Sequence, residues 1–124
     1  CGQTFVGRGA ARQSYIPVIA KHLIVGRGAF SEVFCDPEYS DLARADSLDA
    51  DGKTFPHLKS WTQRAIAEGA WLIWMAHDVG PSTARQTLKA EVLERYGAYL
   101  KDPATGVWAD TVAAVGDYVR RTRS

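Results

Sequence analysis

Gly69-Ala70-Trp71-Leu72-Ile73-Trp74-Met75-Ala76-His77-Asp78-Val79-Gly80 is the stretch on which the fold turns. Seven apolar residues, Ala70 to Ala76, run without a charge. A bilayer-spanning helix needs about 20. A short run, rich in aromatics and bounded by glycine, suits a strand buried on both faces, as in a parallel sheet. His77 and Asp78 then fall at its C-terminal end. Open α/β sheets and α/β barrels collect their chemistry there.

Working outward, Phe55 to Glu68 reads as a helix before this strand. Leu58, Trp61, Ala65 and Ile66 recur at helical spacing, and Gly69 stops it. After the strand, Pro81-Ser82 opens a second helix, with Ser82 or Thr83 as cap and Leu88, Val92, Leu93, Tyr96 and Leu100 as its apolar face. Lys101 to Gly106 is a turn cluster, and Val107-Trp108-Ala109 a short strand. Asp110 or Thr111 caps a last helix with Val112, Val115 and Val119 along one side. Its basic end, Arg120-Arg121-Thr122-Arg123, suits the helix dipole better than a nucleic-acid patch.

Upstream, Cys1 to Arg12 is a glycine-rich loop. Ser14 caps a helix that tolerates Pro17 in its first turn and runs to about His22. Leu23-Ile24-Val25 reads as a strand closed by Gly26-Arg27-Gly28. Phe30 to Thr54 has no clear period and reads as a long loop with one helical turn, marked by Asp36-Pro37 and Asp51-Gly52. A loop of that length is usually functional or covers something.

Strands alternating with helices predict an α/β fold of about three parallel strands and four helices, in a single domain over residues 1–124. Three buried parallel strands leave two exposed edges, so the pattern reads as part of a larger barrel or sheet. Apolar residues are 46% and charged residues 23%, as in ordinary globular chains. A net charge of +1 gives no electrostatic case for nucleic acid or an anionic membrane. No stretch reads as a transmembrane helix or signal peptide. Cys1 and Cys35 make no disulfide framework, and Cys35 reads as a small buried apolar residue. Val6-Gly7-Arg8-Gly9-Ala10 recurs as Val25-Gly26-Arg27-Gly28-Ala29. Neither copy is a dinucleotide fingerprint, because Arg12 and Ser31 stand where the third glycine would be.

Trp-Leu-Ile-Trp-Met-Ala-His-Asp-Val-Gly, then Gln86-Thr87, then Gly106-Val107-Trp108-Ala109-Asp110-Thr111-Val112 and Asp117-Tyr118-Val119, resembles the C-terminal part of polysaccharide deacetylases, the family-four carbohydrate esterases. The resemblance is strong from Gly69 to Val119 and loose before that. It implies a partial (β/α) barrel that hydrolyses N- or O-acetyl groups of a glycan or related amide with a divalent, zinc-type metal. It implies an extracellular or cell-envelope setting. His77 matches the general acid. Met75 matches the wall of the acetyl pocket. Cys1 matches the residue whose backbone N–H binds the oxyanion. The family's aspartate pair and His-x-x-x-His metal ligands have no counterpart here, so the chain is expected to be the C-terminal half of such a barrel, inactive alone.

The chain's first residue admits two readings: a truncated frame, which the resemblance favours, or a lipidated cysteine. The competing function is a non-catalytic α/β binding module, anchored through Cys1, with its apolar edges covered by self-association. Arg27, at a strand end, could hold a substrate carboxylate, or be a solvated loop arginine. Asp78 is the adjacent carboxylate that could orient His77. His22 reads as a helix-dipole partner and His57 as a surface residue. Trp71 and Trp108 read as core; Trp61 and Trp74 read as core or as sugar-stacking rings.

Overall fold

A computed structural model describes residues 4–29, 31–81 and 85–123. The chain opens with a small antiparallel pair, β1 (Phe5–Val6) and β2 (Gln13–Ser14). Helix α1 (Ile16–His22) follows. Ser14 Oγ accepts the Ile16 N–H at 3.2 Å, and Pro17 sits in the first turn, where its missing N–H leaves no bond unmade.

The expected strand at Leu23–Val25 is displaced. Leu23 and Ile24 are exposed, and the ladder begins at Gly26. Gly26 N–H donates to the Leu42 carbonyl at 2.8 Å, Ala45 N–H to Gly26 at 2.8 Å, and Gly28 N–H to Ala45 at 2.7 Å. Backbone space decides this. A Cβ on residue 26 would lie 2.5 Å from Ile19 Cγ2 and 2.6 Å from the Ala43 carbonyl oxygen. A glycine lets the segment slide in beside α1 and the 42–44 turn.

The loop from 31 to 54 does contain one helical turn, Leu42–Arg44, capped by the Asp41 carboxylate. It also holds a strand, β3 (Leu48–Asp49), where the sequence shows no clear period. β3 runs parallel to β4 (Trp74–Met75), with Leu48 N–H on the Ile73 carbonyl at 2.9 Å and Ala50 N–H on Met75 at 2.8 Å. Residues 26–28, 45–50 and 73–75 thus lie side by side in chain order, all parallel. A second parallel pair, β5 (Asp78–Gly80) with β6 (Thr87–Lys89), joins through Gly52 N–H to the Thr87 carbonyl. Among the described residues the architecture is a mixed α/β fold with four α-helices and small parallel sheets, and no closed barrel forms.

Helix α2 (Phe55–Glu68) ends as expected at Gly69, whose φ of +63° is the left-handed conformation glycine accepts freely. The next helix is corrected. It begins at Ala90, not at Pro81–Ser82, giving α3 (Ala90–Lys101). Gln86 has φ +61°, which no helix can pass through, and Thr87 and Leu88 are strand residues. Ser82 and Thr83 lie outside the described residues. Val107–Ala109 forms no strand, because the Val107 N–H turns back to Thr105 Oγ1 at 3.3 Å. Helix α4 (Val112–Thr122) carries the expected cap, Thr111 Oγ1 accepting from Ala114 N–H. At its end Asp117 takes Arg120 at 2.8 Å and Arg121 at 3.0 Å, and the Arg120 contact holds its carboxyl below the usual range. Arg123 reaches further. Its Nε and Nη2 donate to the Pro37 and Ser40 carbonyls, each at 2.6 Å.

The parallel segments separate two apolar clusters. Ala50, Leu58, Leu88, Val92 and Tyr96 form one, with Trp74 packed against it. Cys35, Ala45 and Ile73 form the other, with Val25 and Trp71. Trp108 is not core: 54% of it is exposed, and it packs edge-on against Tyr118. Leu93 and Ile66 also face out, because each sits at the margin of its helix's apolar stripe. No helix among the described residues is long and apolar enough to cross a membrane.

The first cluster has a polar centre. Tyr96 OH meets Thr62 Oγ1 at 2.7 Å and accepts Trp74 Nε1–H at 2.8 Å. Burial pushes the Tyr96 phenol above its usual value. The sign follows from linkage: its contribution to stability is whole below pH about 10 and is lost as pH rises through the raised folded value. Tyr96→Phe should cost about 1–3 kcal/mol at neutral pH, since it orphans the Trp74 indole N–H. Urea melts at neutral and alkaline pH should show part of the alkaline loss gone in the variant. Equal stability of the two proteins at neutral pH would refute this.

Cys35 is a free thiol with 0% exposure, and its Sγ–H donates to the Asp46 carbonyl at 3.3 Å. Burial pushes its thiol up. The peptide containing Cys35 should therefore resist iodoacetamide until the urea unfolding transition. Rapid labelling in buffer, read by mass spectrometry, would contradict the placement.

Candidate proton-transfer site

Because β3 and β4 are parallel, their C-terminal ends emerge together. β3 runs on into Ala50-Asp51 and β4 into Ala76-His77. Gly52, with φ +67°, turns the chain directly after Asp51. The Asp51 N–H is held by Asp49 Oδ1 at 2.9 Å. Asp51 then grips His77 twice: Oδ1 accepts the His77 backbone N–H at 3.2 Å, and Oδ2 lies 2.6 Å from Nδ1. The carboxylate is 7% exposed and the imidazole 50%.

This geometry sets the ring's chemistry. An ionised carboxylate only accepts, so Nδ1 carries a proton and Nε2 is the working nitrogen. The contact has the length of a charge-assisted bond. A carboxylate at Nδ1 fixes the ring's tautomer and orientation, leaving Nε2 to take and give a proton. The arrangement can hold a proton at Nε2 and deliver it to a group at the strand ends. Gln86 Nε2 stands 3.4 Å from His77 Nε2.

Two non-glycine residues are left-handed among the described residues, Glu32 (φ 52°) and Gln86 (φ 61°). Both reach this edge. The Glu32 carboxylate accepts the Asp49 N–H, 3.2 Å from each oxygen, and Gln86 faces His77. Strained backbone persists where the surroundings enforce it, and it collects at functional sites.

The residues singled out from sequence fare differently. Met75 is buried in β4, two positions before His77. Arg27 is exposed, and its Nη1 donates to the Gly28 carbonyl at 2.9 Å. No hydrogen bond or ion pair among the described residues joins Arg27 to Asp51 or His77. Cys1 lies outside the described residues. Asp78 does not orient His77. Its carboxylate turns back to the Val79 N–H at 2.8 Å, and Asp51 holds the ring instead. From sequence, Asp51 with Gly52 reads only as a turn signal. The missed cue is the alternation Ser47-Leu48-Asp49-Ala50-Asp51, a strand pattern that ends on a carboxylate.

His57 accepts Trp61 Nε1–H at 2.8 Å on the surface of α2, and His22 is exposed at the end of α1. No group of three or more His, Cys, Asp or Glu among the described residues could hold a metal ion. Away from the Asp51–His77 pair, a cavity of about 590 Å³ opens between α2, β4, α3 and α4. Trp71, Trp74, Tyr96, Trp108 and Tyr118 line it.

Comparison with protein-family models, with curated proteins and with solved structures finds no match.

Proposed function

We propose that the strand ends carrying Asp51 and His77 are the proton-donating part of a hydrolytic site that removes N- or O-acetyl groups from a glycan or a related amide. The scaffold is then a partial (β/α) barrel of the polysaccharide deacetylase type. The observation that supports this is the 2.6 Å contact between Asp51 Oδ2 and His77 Nδ1 at the C-terminal ends of adjacent parallel strands. Amide hydrolysis passes through a tetrahedral intermediate, and an amine cannot leave it unprotonated. His77 as imidazolium gives its Nε2 proton to the departing nitrogen or oxygen, the carbon–heteroatom bond breaks, and the ring is left neutral with its proton on Nδ1. Asp51 keeps the ring's orientation through the transfer. Nothing in this scheme is routed through a metal.

Because the chain by itself is expected to be inactive, the test is acetate release by the chain joined to the half of such a barrel that supplies the metal ligands, from N-acetylated chito-oligosaccharides, O-acetylated glycans and a chromogenic acetate ester, with and without added zinc. Turnover of at least one is expected. If none releases acetate above a blank, the reading falls.

The second reading is a non-catalytic binding module, and the aromatic cavity of about 590 Å³ favours it. Under that reading, an apolar ligand should shift the emission of Trp71, Trp74 and Trp108 while acetate release stays at the blank. An emission spectrum indifferent to such ligands would remove it.

A further inference from the structure

Gln86 is placed by the same turn that carries Asp51. Gly52 N–H donates to the Thr87 carbonyl at 2.9 Å, and Thr87 also pairs with Asp78 across β5 and β6. Thr87 is buried. With its neighbour pinned on two sides, Gln86 is held at φ 61°, a conformation that glycine adopts readily and glutamine rarely. The outcome of that constraint is its side chain at the exposed nitrogen of His77.

We propose that Gln86 is a positioning residue, an amide cap that stays hydrogen-bonded to His77 Nε2 in both protonation states of the ring. This rests on the reading of His77 as the proton donor. A glutamine amide is a donor at one end and an acceptor at the other. When the ring is neutral, Asp51 takes the Nδ1–H and leaves a lone pair on Nε2, which the amide NH₂ caps. When the ring is charged, Nε2 bears a proton, and the amide turned end for end offers its oxygen. No proton moves to or from Gln86. The 3.4 Å separation is loose enough for a leaving group to displace the cap. That leaving atom must itself be an amine nitrogen or a hydroxyl oxygen, which can take over the bond. Among the described residues, Asp51 and Gln86 are the side chains that bond the ring, and the Asp78 carboxylate is engaged on Val79.

The test is ¹⁵N NMR of the His77 ring in the native protein, with acetate release measured alongside. Gln86→Leu and Gln86→Gly should both shift the Nε2 resonance toward that of an uncapped ring and leave Nδ1 bonded to Asp51. Gln86→Gly should melt no lower than the parent, because glycine suits that φ. Gln86→Glu should also move the Nε2 resonance, because a carboxylate can accept from a protonated Nε2 but cannot donate to its lone pair. In Gln86→Leu kcat should fall about tenfold to a hundredfold with KM nearly unchanged. Ring resonances identical to the parent's in Gln86→Leu and Gln86→Glu would overturn the proposal. In that event a tautomer change in Asp51→Asn would show that the Asp51–His77 reading still stands. Absence of acetate release in every protein would sink that reading instead, while the ring shifts still judged the cap.

Discussion

Asp51→Asn should lower kcat on an acetylated substrate by about 10²–10⁴-fold with KM within a few-fold of the parent. Asn and Asp have the same shape, so the loss comes from hydrogen-bond polarity alone. One side-chain oxygen of residue 51 accepts the His77 backbone N–H at 3.2 Å. That bond claims the only oxygen an asparagine has. Its NH₂ is then forced toward Nδ1, where the carboxylate oxygen lay at 2.6 Å. Two donors cannot face each other, so the ring must move its proton to Nε2 and present a lone pair at Nδ1. The neutral ring is then the wrong tautomer, and the imidazolium loses its counter-charge. Ring ¹⁵N shifts should report the inversion directly, and His77→Ala should lose at least as much activity. Activity of Asp51→Asn within tenfold of the parent would mean that Asp51 does not tune the ring.

Gly26→Ala should destabilise the fold by about 3 kcal/mol, at the upper end of overpacking costs. The added Cβ would meet Ile19 Cγ2 at 2.5 Å and the Ala43 oxygen at 2.6 Å. Ile19 can yield by turning. Ala43 cannot, because its neighbour Leu42 accepts from Gly26 and Ala45 donates back to it. Either the parallel ladder opens or α1 moves off. Gly28→Ala is the comparison, since its nearest neighbour is Ala45 O at 3.2 Å and a small shift relieves it. Urea unfolding of the two variants should differ by about 1–2 kcal/mol, with Gly26→Ala the weaker. Equal midpoints would show that the 26–28 segment is not packed as described.

The sequence was most legible where apolar spacing and stop signals agree. Phe55–Glu68 with Gly69, and α4 with its Thr111 cap, were readable because helix period and cap chemistry are local. Strands fared worse. β3, Leu48–Asp49, is two residues long and flanked by Asp46, Ser47 and Asp51, and polar groups along the segment are satisfied by distant partners such as Gly28 and Glu32. Such partners leave no mark on a local window. Leu88 reads as helical because it falls in phase with Val92 and Tyr96, but the left-handed Gln86 just before it starts a strand instead. At the site, His77 could be picked out from its place after an apolar run. Asp51 lies 26 residues earlier, and only the parallel pairing of β3 with β4 brings the two together.

The clasp between Arg123 and the carbonyls of Pro37 and Ser40 spans 86 and 83 positions of chain. Ring closures that wide exact a large entropic toll before any contact repays it. Docking of the terminal helix is therefore expected among the last events of refolding, after the local 42–44 turn and α2–α3. In a stopped-flow experiment, charge removal at position 123 would then quicken unwinding far more than it slows the forward phase.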